Sequence, residues 1–103
     1  MSATELKEAL ASANPPLLVD VRTPHEHEIA AITPSLLLPL HEIEERAEEL
    51  DGHKGRPIVV YCHLGVRSLD GAAYLSSLGH DAVSLAGGIE AWSCEIDPKV
   101  PRY

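Results

Sequence analysis

The chain has 103 residues, 45% of them hydrophobic, which is enough for one buried core and too few for two, so we expect a single domain spanning residues 1–103. Its formal net charge of −8 would repel phosphate backbones, which excludes nucleic acid as an expected partner. The sequence shows neither a secretory leader nor an apolar run long enough to span a bilayer, so we expect a cytoplasmic protein without membrane contacts.

The spacing of the metal-binding residue types does not indicate a metal site. The chain has two cysteines and six histidines, and no CxxC or HxxxH pair occurs among them. Two cysteines in a chain without a leader also do not indicate a disulfide framework. We therefore expect neither a structural metal nor a disulfide.

The first third of the chain predicts a helix, a strand and a second helix. Ser2 and Glu5 have the form of a capping box, so a short helix is expected to continue to Leu10. Residues 17–21 form an apolar run typical of a strand that is buried on both faces. A helix with proline near its first position is expected over residues 24–31.

The middle of the chain predicts strands over residues 35–40 and 58–62, separated by a helix over residues 41–50. That helix is amphipathic, with acidic residues opposite three inward apolar side chains, those of Ile43, Ala47 and Leu50. The acidic face is expected to be solvated, and docking to a basic protein is the weaker interpretation.

The last third predicts a helix over residues 68–78, a short strand over 81–86 and a final helix over 89–92. Four side chains of the longer helix are expected to face inward: Ala72, Ala73, Leu75 and Leu78. Strands that alternate with helices through short connections predict an α/β fold, with a parallel sheet of four to five strands covered by helices on both faces. Ligands bind beyond the carboxyl ends of the strands in such sheets, and Cys62 lies at that end of the most β-prone strand.

The segment that follows Cys62 is predicted to be a tight loop between a strand and a helix. It contains His63, Leu64, Gly65, Val66 and Arg67, and Ser68 is expected to cap the helix. Backbone N–H groups that converge at a helix N-terminus can stabilise a thiolate and lower its pKa from about 8.5. Glycine lets the loop curl, and the arginine adds a positive charge. This arrangement suits a nucleophilic sulfur that forms a persulfide or a phosphocysteine.

A lone cysteine at a strand end is more often a small hydrophobic residue in the core, and the loop around Cys62 is what favours the chemical interpretation. Cys94 has no such loop, so we expect it to pack or to lie at the surface, and a role as resolving cysteine is the weaker alternative. The histidines outside the loop are expected at the surface: His25, His27, His41, His53 and His80. Tyr61 is expected to face away from Cys62 because side chains alternate along a strand.

Three motifs together resemble the rhodanese-like sulfurtransferase domains along nearly the whole chain. They are Asp20-Val21-Arg22 with Glu26 downstream, the loop Cys62 to Ser68, and Leu85 to Trp92. The resemblance implies a three-layer fold and a catalytic Cys62 that accepts a sulfane sulfur, holds it as a persulfide and passes it to a nucleophile. It implies no cofactor. Asp20 is expected to support the site by orienting loop groups or Arg22, or to serve only in a cap or salt bridge, and Arg22 is expected to form a structural ion pair with Glu26.

The resemblance also bears on partners. The donor is expected to be thiosulfate, a similar small sulfur compound or a cysteine desulfurase. The tail from Ile96 to Tyr103 looks like the end of the rhodanese domain that follows adenylating enzymes in molybdopterin and thiamine synthesis, which makes a ubiquitin-like sulfur-carrier protein a candidate acceptor. A phosphatase is the less favoured enzyme because related phosphatase domains have a longer loop than the four residues between Cys62 and Arg67. A non-catalytic binding or redox-sensing module is the remaining alternative.

Overall fold

The structure is a computed structural model that describes residues 1–103. Its four strands form one parallel sheet in the order β2-β1-β3-β4. The strands are β1 (Leu17–Asp20), β2 (Leu36–Leu37), β3 (Ile58–Tyr61) and β4 (Ala82–Ser84). The helices are α1 (Ala3–Leu10), α2 (Pro24–Ile29), α3 (Ile43–Arg46), α4 (Arg67–Ser77) and α5 (Gly88–Glu95), and two 3₁₀ segments, Leu40–Glu42 and Ala47–His53, flank α3. The predicted α/β fold with four to five parallel strands is confirmed.

The sheet separates two apolar layers. One layer contains Val60 and Cys62 with residues of α3 and α4, and the other contains Val59 and Tyr61 with residues of α1 and α5. Successive side chains of β3 therefore enter opposite layers, as alternation along a strand requires. The expectation that Tyr61 faces away from Cys62 is confirmed, and the three-layer arrangement leaves Cys62 on the side of α4.

The helix predicted over residues 41–50 is interrupted. Only residues 43–46 are α-helical, and 3₁₀ turns precede and follow them. The pairs Glu44 with Glu48 and Glu45 with Glu49 place like charges four residues apart, which destabilises a regular α-helix. The inward face is nevertheless correct, because all three of its apolar side chains are buried: Ile43, Ala47 and Leu50.

The strand predicted over residues 35–40 is reduced to Leu36 and Leu37. Pro39 has no N–H to donate, so the regular ladder ends before it. The chain still runs beside β1, because the Leu38 N–H donates to the Asp20 carbonyl over 2.7 Å and the Leu40 N–H donates to the Val21 carbonyl over 3.0 Å.

The inward face of α4 differs from the prediction at two positions. Ala73 and Leu78 are exposed, whereas the buried residues are Ser68, Gly71, Ala72 and Leu75. A Cβ atom on Gly71 would lie 3.2 Å from the side chains of Val21 and Val60, so glycine lets α4 approach the sheet closely. His80, expected at the surface, is 6% exposed, and neither ring nitrogen has a hydrogen-bond partner. It lies three residues after the end of α4, in the turn that leads into β4.

The first residue adds backbone contacts at one edge of the sheet. The Met1 amino group donates to the Ser84 carbonyl over 3.0 Å, and the Ala86 N–H donates to the Met1 carbonyl over 2.8 Å. Met1 thus covers part of the free edge of β4, which would otherwise present unpaired backbone groups. None of the helices is both long enough and apolar enough to cross a membrane.

Candidate active site

Cys62 directly follows β3, and its side chain is buried, with 1% of the residue exposed. The Gly65 N–H donates to Sγ over 3.1 Å and the Ser68 N–H donates to Sγ over 3.4 Å. The hydroxyl oxygen of Ser68 also lies 3.4 Å from Sγ. Three polar groups from the loop and the first turn of α4 therefore surround one sulfur atom.

These groups determine the acidity of the thiol. Burial alone would raise the pKa of Cys62, but hydrogen bonds from the Ser68 hydroxyl, the Ser68 N–H and the Gly65 N–H, together with the charge of Arg67, lower it below its usual value. The charge of Arg67 contributes least among these. The thiolate is thus stabilised mainly by dipoles that lie against the sulfur.

The loop is attached by its carbonyl groups to the N-terminus of α5. The Ile89 N–H donates to the Cys62 carbonyl over 2.9 Å, and the Glu90 N–H donates to the His63 carbonyl over 3.1 Å. This contact requires Gly88, since a Cβ atom there would lie 2.5 Å from the Cys62 carbonyl oxygen and 2.4 Å from that of His63. The motif that begins at Leu85 therefore holds the cysteine loop in place.

Gly65 is the turning point of the loop. Its φ angle of +97° lies in the region that favours glycine, and a Cβ atom would lie 2.9 Å from the Gly87 backbone nitrogen. The curl brings the Gly65 N–H to the sulfur. The N–H groups of His63, Leu64 and Val66 make no hydrogen bond within the protein.

Ser68 does not cap α4, contrary to the sequence-based expectation. The helix begins at Arg67, and no side chain caps it. The Ser68 hydroxyl instead lies between Sγ and the hydroxyl of Ser84, which is 2.7 Å away. When Ser84 donates to Ser68, the Ser68 proton is free to donate to the thiolate. Sequence reasoning missed Ser84, although the register that pairs it with Val60 places it beside the end of β3.

Arg67 forms a bidentate ion pair with Glu26, with nitrogen to oxygen distances of 2.7 and 2.9 Å. Hydrogen bonds from Arg67 lower the pKa of Glu26 well below its usual range, against the effect of burial. The prediction that Glu26 pairs with Arg22 is wrong. Arg22 approaches only the Glu26 backbone carbonyl, at 3.5 Å, because its guanidinium is turned toward Asp20.

Asp20 and Arg22 form a fully buried ion pair beneath the loop. Arg22 donates from Nε and Nη2 to the two carboxylate oxygens of Asp20 over 2.8 and 2.7 Å, and from Nη2 to the Ala30 carbonyl over 2.6 Å. Burial opposes the charged guanidinium, yet the hydrogen bonds with Asp20 and Tyr103 outweigh it and raise the pKa of Arg22. Asp20 therefore forms a salt bridge with Arg22, one of its two expected roles, and also lies 2.7 Å from Nδ1 of His27, which is only partly exposed.

The C-terminal residues lie against the loop, a contact that sequence reasoning did not predict. The Tyr103 ring stacks on His63, with ring centroids 4.0 Å apart and planes 12° from parallel. The Tyr103 hydroxyl accepts from Arg22 Nη1 over 2.7 Å and donates to a Glu26 carboxylate oxygen over 2.7 Å. Burial raises the pKa of Tyr103 to about 12, so its hydroxyl keeps its proton at neutral pH.

Two further residues complete this side of the loop. Arg102 pairs with Glu90, and these two residues line an open cleft of about 370 Å³ together with His63, Leu64 and Tyr103. Cys94 is exposed and unbonded to another cysteine, in line with the expected surface position. Its sulfur lies 3.6 Å from a Glu90 carboxylate oxygen.

Exposed apolar side chains lie in the loop after Cys62 and in the first turn of α4. Leu64 is 61% exposed, Val66 is 71% exposed and Leu69 is 61% exposed. We call these three residues the apolar rim. The most exposed side chains of this segment are therefore apolar, next to the partly exposed side chains of His63 and Arg67.

Comparison with known proteins identifies the family. The rhodanese-like domain family matches residues 2–95. The chain belongs to the rhodanese-like domain family. It is 40% identical over 94 residues to a sulfurtransferase from Allochromatium vinosum, covering 90% of this chain and 86% of that protein. It is 36% identical over 100 residues to the probable adenylyltransferase/sulfurtransferase MoeZ from Mycobacterium tuberculosis, covering 96% of this chain and 26% of MoeZ.

The fold of this rhodanese-like chain has a close match among solved structures. A rhodanese-related protein from Thermoplasma volcanium superposes with a TM-score of 0.86 at 30% sequence identity, covering all of this chain and 97% of that one. The chain thus spans most of the small relatives and about a quarter of MoeZ. Family membership and relatives that are named sulfurtransferases support a sulfurtransferase activity in general terms.

Proposed function

We propose that residues 1–103 form a single rhodanese-like domain that transfers sulfane sulfur through a persulfide on Cys62. The observation that carries the proposal is the buried Cys62 sulfur with the Gly65 N–H, the Ser68 N–H and the Ser68 hydroxyl 3.1 to 3.4 Å away. These groups stabilise a thiolate, which is the nucleophilic form of cysteine. Their number and closeness suit one anionic sulfur atom.

In the first step the Cys62 thiolate attacks the sulfane sulfur of a donor. With thiosulfate, the new bond joins Sγ to the sulfane sulfur, the sulfur–sulfur bond of the donor breaks, and sulfite leaves with the bonding electron pair. The product is an anionic persulfide. The loop N–H groups of His63, Leu64 and Val66, which have no partner within the protein, are the donors available to the outer sulfur.

In the second step an acceptor nucleophile attacks the outer sulfur of the persulfide. The bond between the two sulfur atoms breaks, and its electron pair returns to Cys62 as a thiolate. The groups that stabilise the starting thiolate also stabilise this leaving group, with Arg67 adding a positive charge nearby. Neither step requires a metal or an organic cofactor.

The apolar rim favours a protein partner over a small anion. The arginines near the loop are each paired with a carboxylate: Arg22 with Asp20, Arg67 with Glu26 and Arg102 with Glu90. A dianion such as thiosulfate thus finds no unpaired cation among them, whereas the exposed apolar side chains fit the surface of another protein. A cysteine desulfurase is the donor we propose. A ubiquitin-like sulfur carrier is the acceptor we propose when its C-terminal carboxyl is activated as an acyl adenylate, because the outer persulfide sulfur can then act as the nucleophile, attack the carbonyl carbon and release AMP. A thiol then attacks Cys62 Sγ of the acyl disulfide and releases the thiocarboxylate of the carrier.

The test measures sulfur on Cys62 directly. The reduced protein is mixed with thiosulfate, or with a cysteine desulfurase and cysteine, and intact and peptide masses are taken without reductant. We expect one added sulfur atom on Cys62, which is lost on adding cyanide. Cys62→Ser should remain folded and gain no sulfur, and Cys94→Ser should load as the wild type does.

The alternatives give different results. No loading by either donor, in folded protein with a free Cys62, would favour the non-catalytic binding or redox-sensing module. Turnover of a phosphate ester with inhibition by vanadate would favour the phosphatase. Sulfur transfer that survives Cys62→Ser would overturn the assignment of the nucleophile.

A further inference from the structure

We propose that Tyr103 is a positioning residue for sulfur transfer, which holds the Glu26–Arg67 ion pair and the His63 ring at the mouth of the Cys62 loop. The inference rests on the proposed function and adds a residue 41 positions beyond the nucleophile. It depends on two separate contacts of one side chain, its hydroxyl with two charged groups and its ring with an imidazole.

The hydroxyl links a rigid ion pair to a more exposed one. Arg22 has no exposed side-chain surface and is fixed by Asp20 and a backbone carbonyl. From this anchor, Nη1 donates to the Tyr103 hydroxyl over 2.7 Å, and the hydroxyl donates to Oε2 of Glu26 over 2.7 Å. The same Glu26 oxygen accepts from Arg67 Nη2 over 2.9 Å. The position of the buried guanidinium is thereby transmitted to Glu26.

A fixed Glu26 in turn restricts the side chain of Arg67. Its side chain is 38% exposed, and its guanidinium bonds only to the Glu26 carboxylate. Holding a long side chain in one geometry costs conformational entropy, and a pre-positioned carboxylate reduces that cost for its partner. Arg67 carries the positive charge that acts on Cys62. A fixed Glu26 therefore keeps this charge in place while the thiolate and persulfide interconvert.

The ring acts on the other side of the loop. The His63 backbone is fixed to α5, but its imidazole is 25% exposed, and Nε2 lies 4.0 Å from a Glu90 carboxylate oxygen. Stacking with Tyr103 gives the imidazole a defined plane beside the nucleophile. The last residue of the tail thus forms one wall of an open cleft that His63 and Leu64 of the cysteine loop also line.

The first test separates the hydroxyl from the ring. Tyr103→Phe removes both hydrogen bonds of the hydroxyl and keeps the stacking, and Tyr74→Phe is the matched control, because Tyr74 packs beside the core cluster of α4. We expect Tyr103→Phe to lower kcat of sulfur transfer about tenfold with KM unchanged, because Glu26 loses a charge-assisted hydrogen bond that holds it, and through it Arg67, in place. The control should retain wild-type kinetics. Wild-type kinetics in Tyr103→Phe would overturn the inference.

A double-mutant cycle tests whether Tyr103 acts through Glu26. Glu26→Gln removes the charge that binds Arg67 but keeps the oxygen that accepts from the Thr23 N–H at the start of α2. If Tyr103 acts through Glu26, adding Tyr103→Phe to Glu26→Gln lowers kcat less than twofold. A full tenfold loss in both backgrounds would show that Tyr103 does not work through this carboxylate and would overturn the proposal.

A measurement that does not depend on sulfur transfer separates the role of Tyr103 from the proposed function of Cys62. The order of the Arg67 Nε–H group is measured by NMR relaxation in the resting protein, where we expect it to fall in Tyr103→Phe and to stay unchanged in Tyr74→Phe. Unchanged order would overturn the inference even if Cys62 accepts sulfur. Failure of wild-type Cys62 to load, with the expected loss of order, would refute the proposed function and leave the positioning of Arg67 by Tyr103 supported.

Discussion

Replacing Ser68 with alanine is expected to raise the pKa of Cys62, because the thiolate loses a hydrogen bond that lowers it. The change removes a hydroxyl 3.4 Å from Sγ and leaves the Ser68 N–H, which is also 3.4 Å from the sulfur, in place. A hydrogen bond to a charged group contributes about 1.5–3 kcal/mol, and the length of this one places it at the lower end. Loss of the hydroxyl should therefore destabilise the thiolate relative to the thiol by about 1.5 kcal/mol.

The assay is the pH dependence of Cys62 alkylation by iodoacetamide in a Cys94→Ser background, so that one thiol reacts. Ser76→Ala is the control, because its hydroxyl donates to the Ala82 carbonyl and does not contact the loop. Ser84→Ala should shift the pKa in the same direction by a smaller amount, since Ser84 contacts the sulfur only through Ser68. A pKa that is unmoved or lowered in Ser68→Ala would refute the assignment of its hydroxyl as a thiolate donor.

The raised pKa of Cys62 in Ser68→Ala should also lower the unfolding free energy at high pH. The pKa of Cys62 is lowered in the folded protein, so the thiolate stabilises the fold above the unfolded pKa of about 8.5, and this contribution is lost as pH falls through the folded pKa. Ser68→Ala raises the folded pKa and reduces the contribution. The wild type should therefore be more stable than Ser68→Ala by an ionisation-dependent amount that reaches about 1.5 kcal/mol above about pH 8.5 and vanishes well below the folded pKa. Denaturation at several pH values measures it.

Two further substitutions test what holds the loop. Gly88→Ala should destabilise the fold by about 3–5 kcal/mol in denaturant unfolding, because its Cβ would overlap two carbonyl oxygens at a φ angle of +60°. Gly52→Ala is the control, because nothing lies within 4 Å of its Cβ, and it should change the unfolding free energy by no more than about 0.5 kcal/mol. Asp20→Asn should cost about 3–5 kcal/mol, because it leaves the charge of Arg22 buried without its partner. Wild-type stability in either Gly88→Ala or Asp20→Asn would contradict the contacts described here.

The main features of the fold could be predicted because they depend on local patterns. Apolar runs bounded by proline and glycine mark the strands, and the regular alternation of strands and helices implies a parallel sheet with Cys62 at its carboxyl end. The errors lie where tertiary packing overrides periodicity. The buried face of α4 consists of Ser68, Gly71, Ala72 and Leu75. A hydrophobic pattern does not select a serine or a glycine for such a face, and it wrongly adds Ala73 and Leu78.

The identity of the residues in the candidate site could be predicted better than the ion pairs and hydrogen bonds between them. The residues around the sulfur come from one short segment, so the chemistry of the loop follows from Cys62 to Ser68 alone. Arg67 and Glu26 are 41 positions apart, and Tyr103 is 77 positions from Glu26, so no local pattern relates them. The helical spacing of Arg22 and Glu26 suggested an ion pair that burial of Asp20 beside Arg22 prevents.

The pairing of the arginines explains how an acidic chain can hold a thiolate. A net charge of −8 raises the cost of another anion, and the paired arginines offset little of it. Backbone and hydroxyl dipoles act only over short distances, so they stabilise a sulfur anion in contact with them without creating a positive field outside the loop. The groups that stabilise the thiolate therefore do not also attract anions from solution. Because attraction by charge is weak, we expect the proposed partners to bind at the apolar rim and at the wall formed by Tyr103.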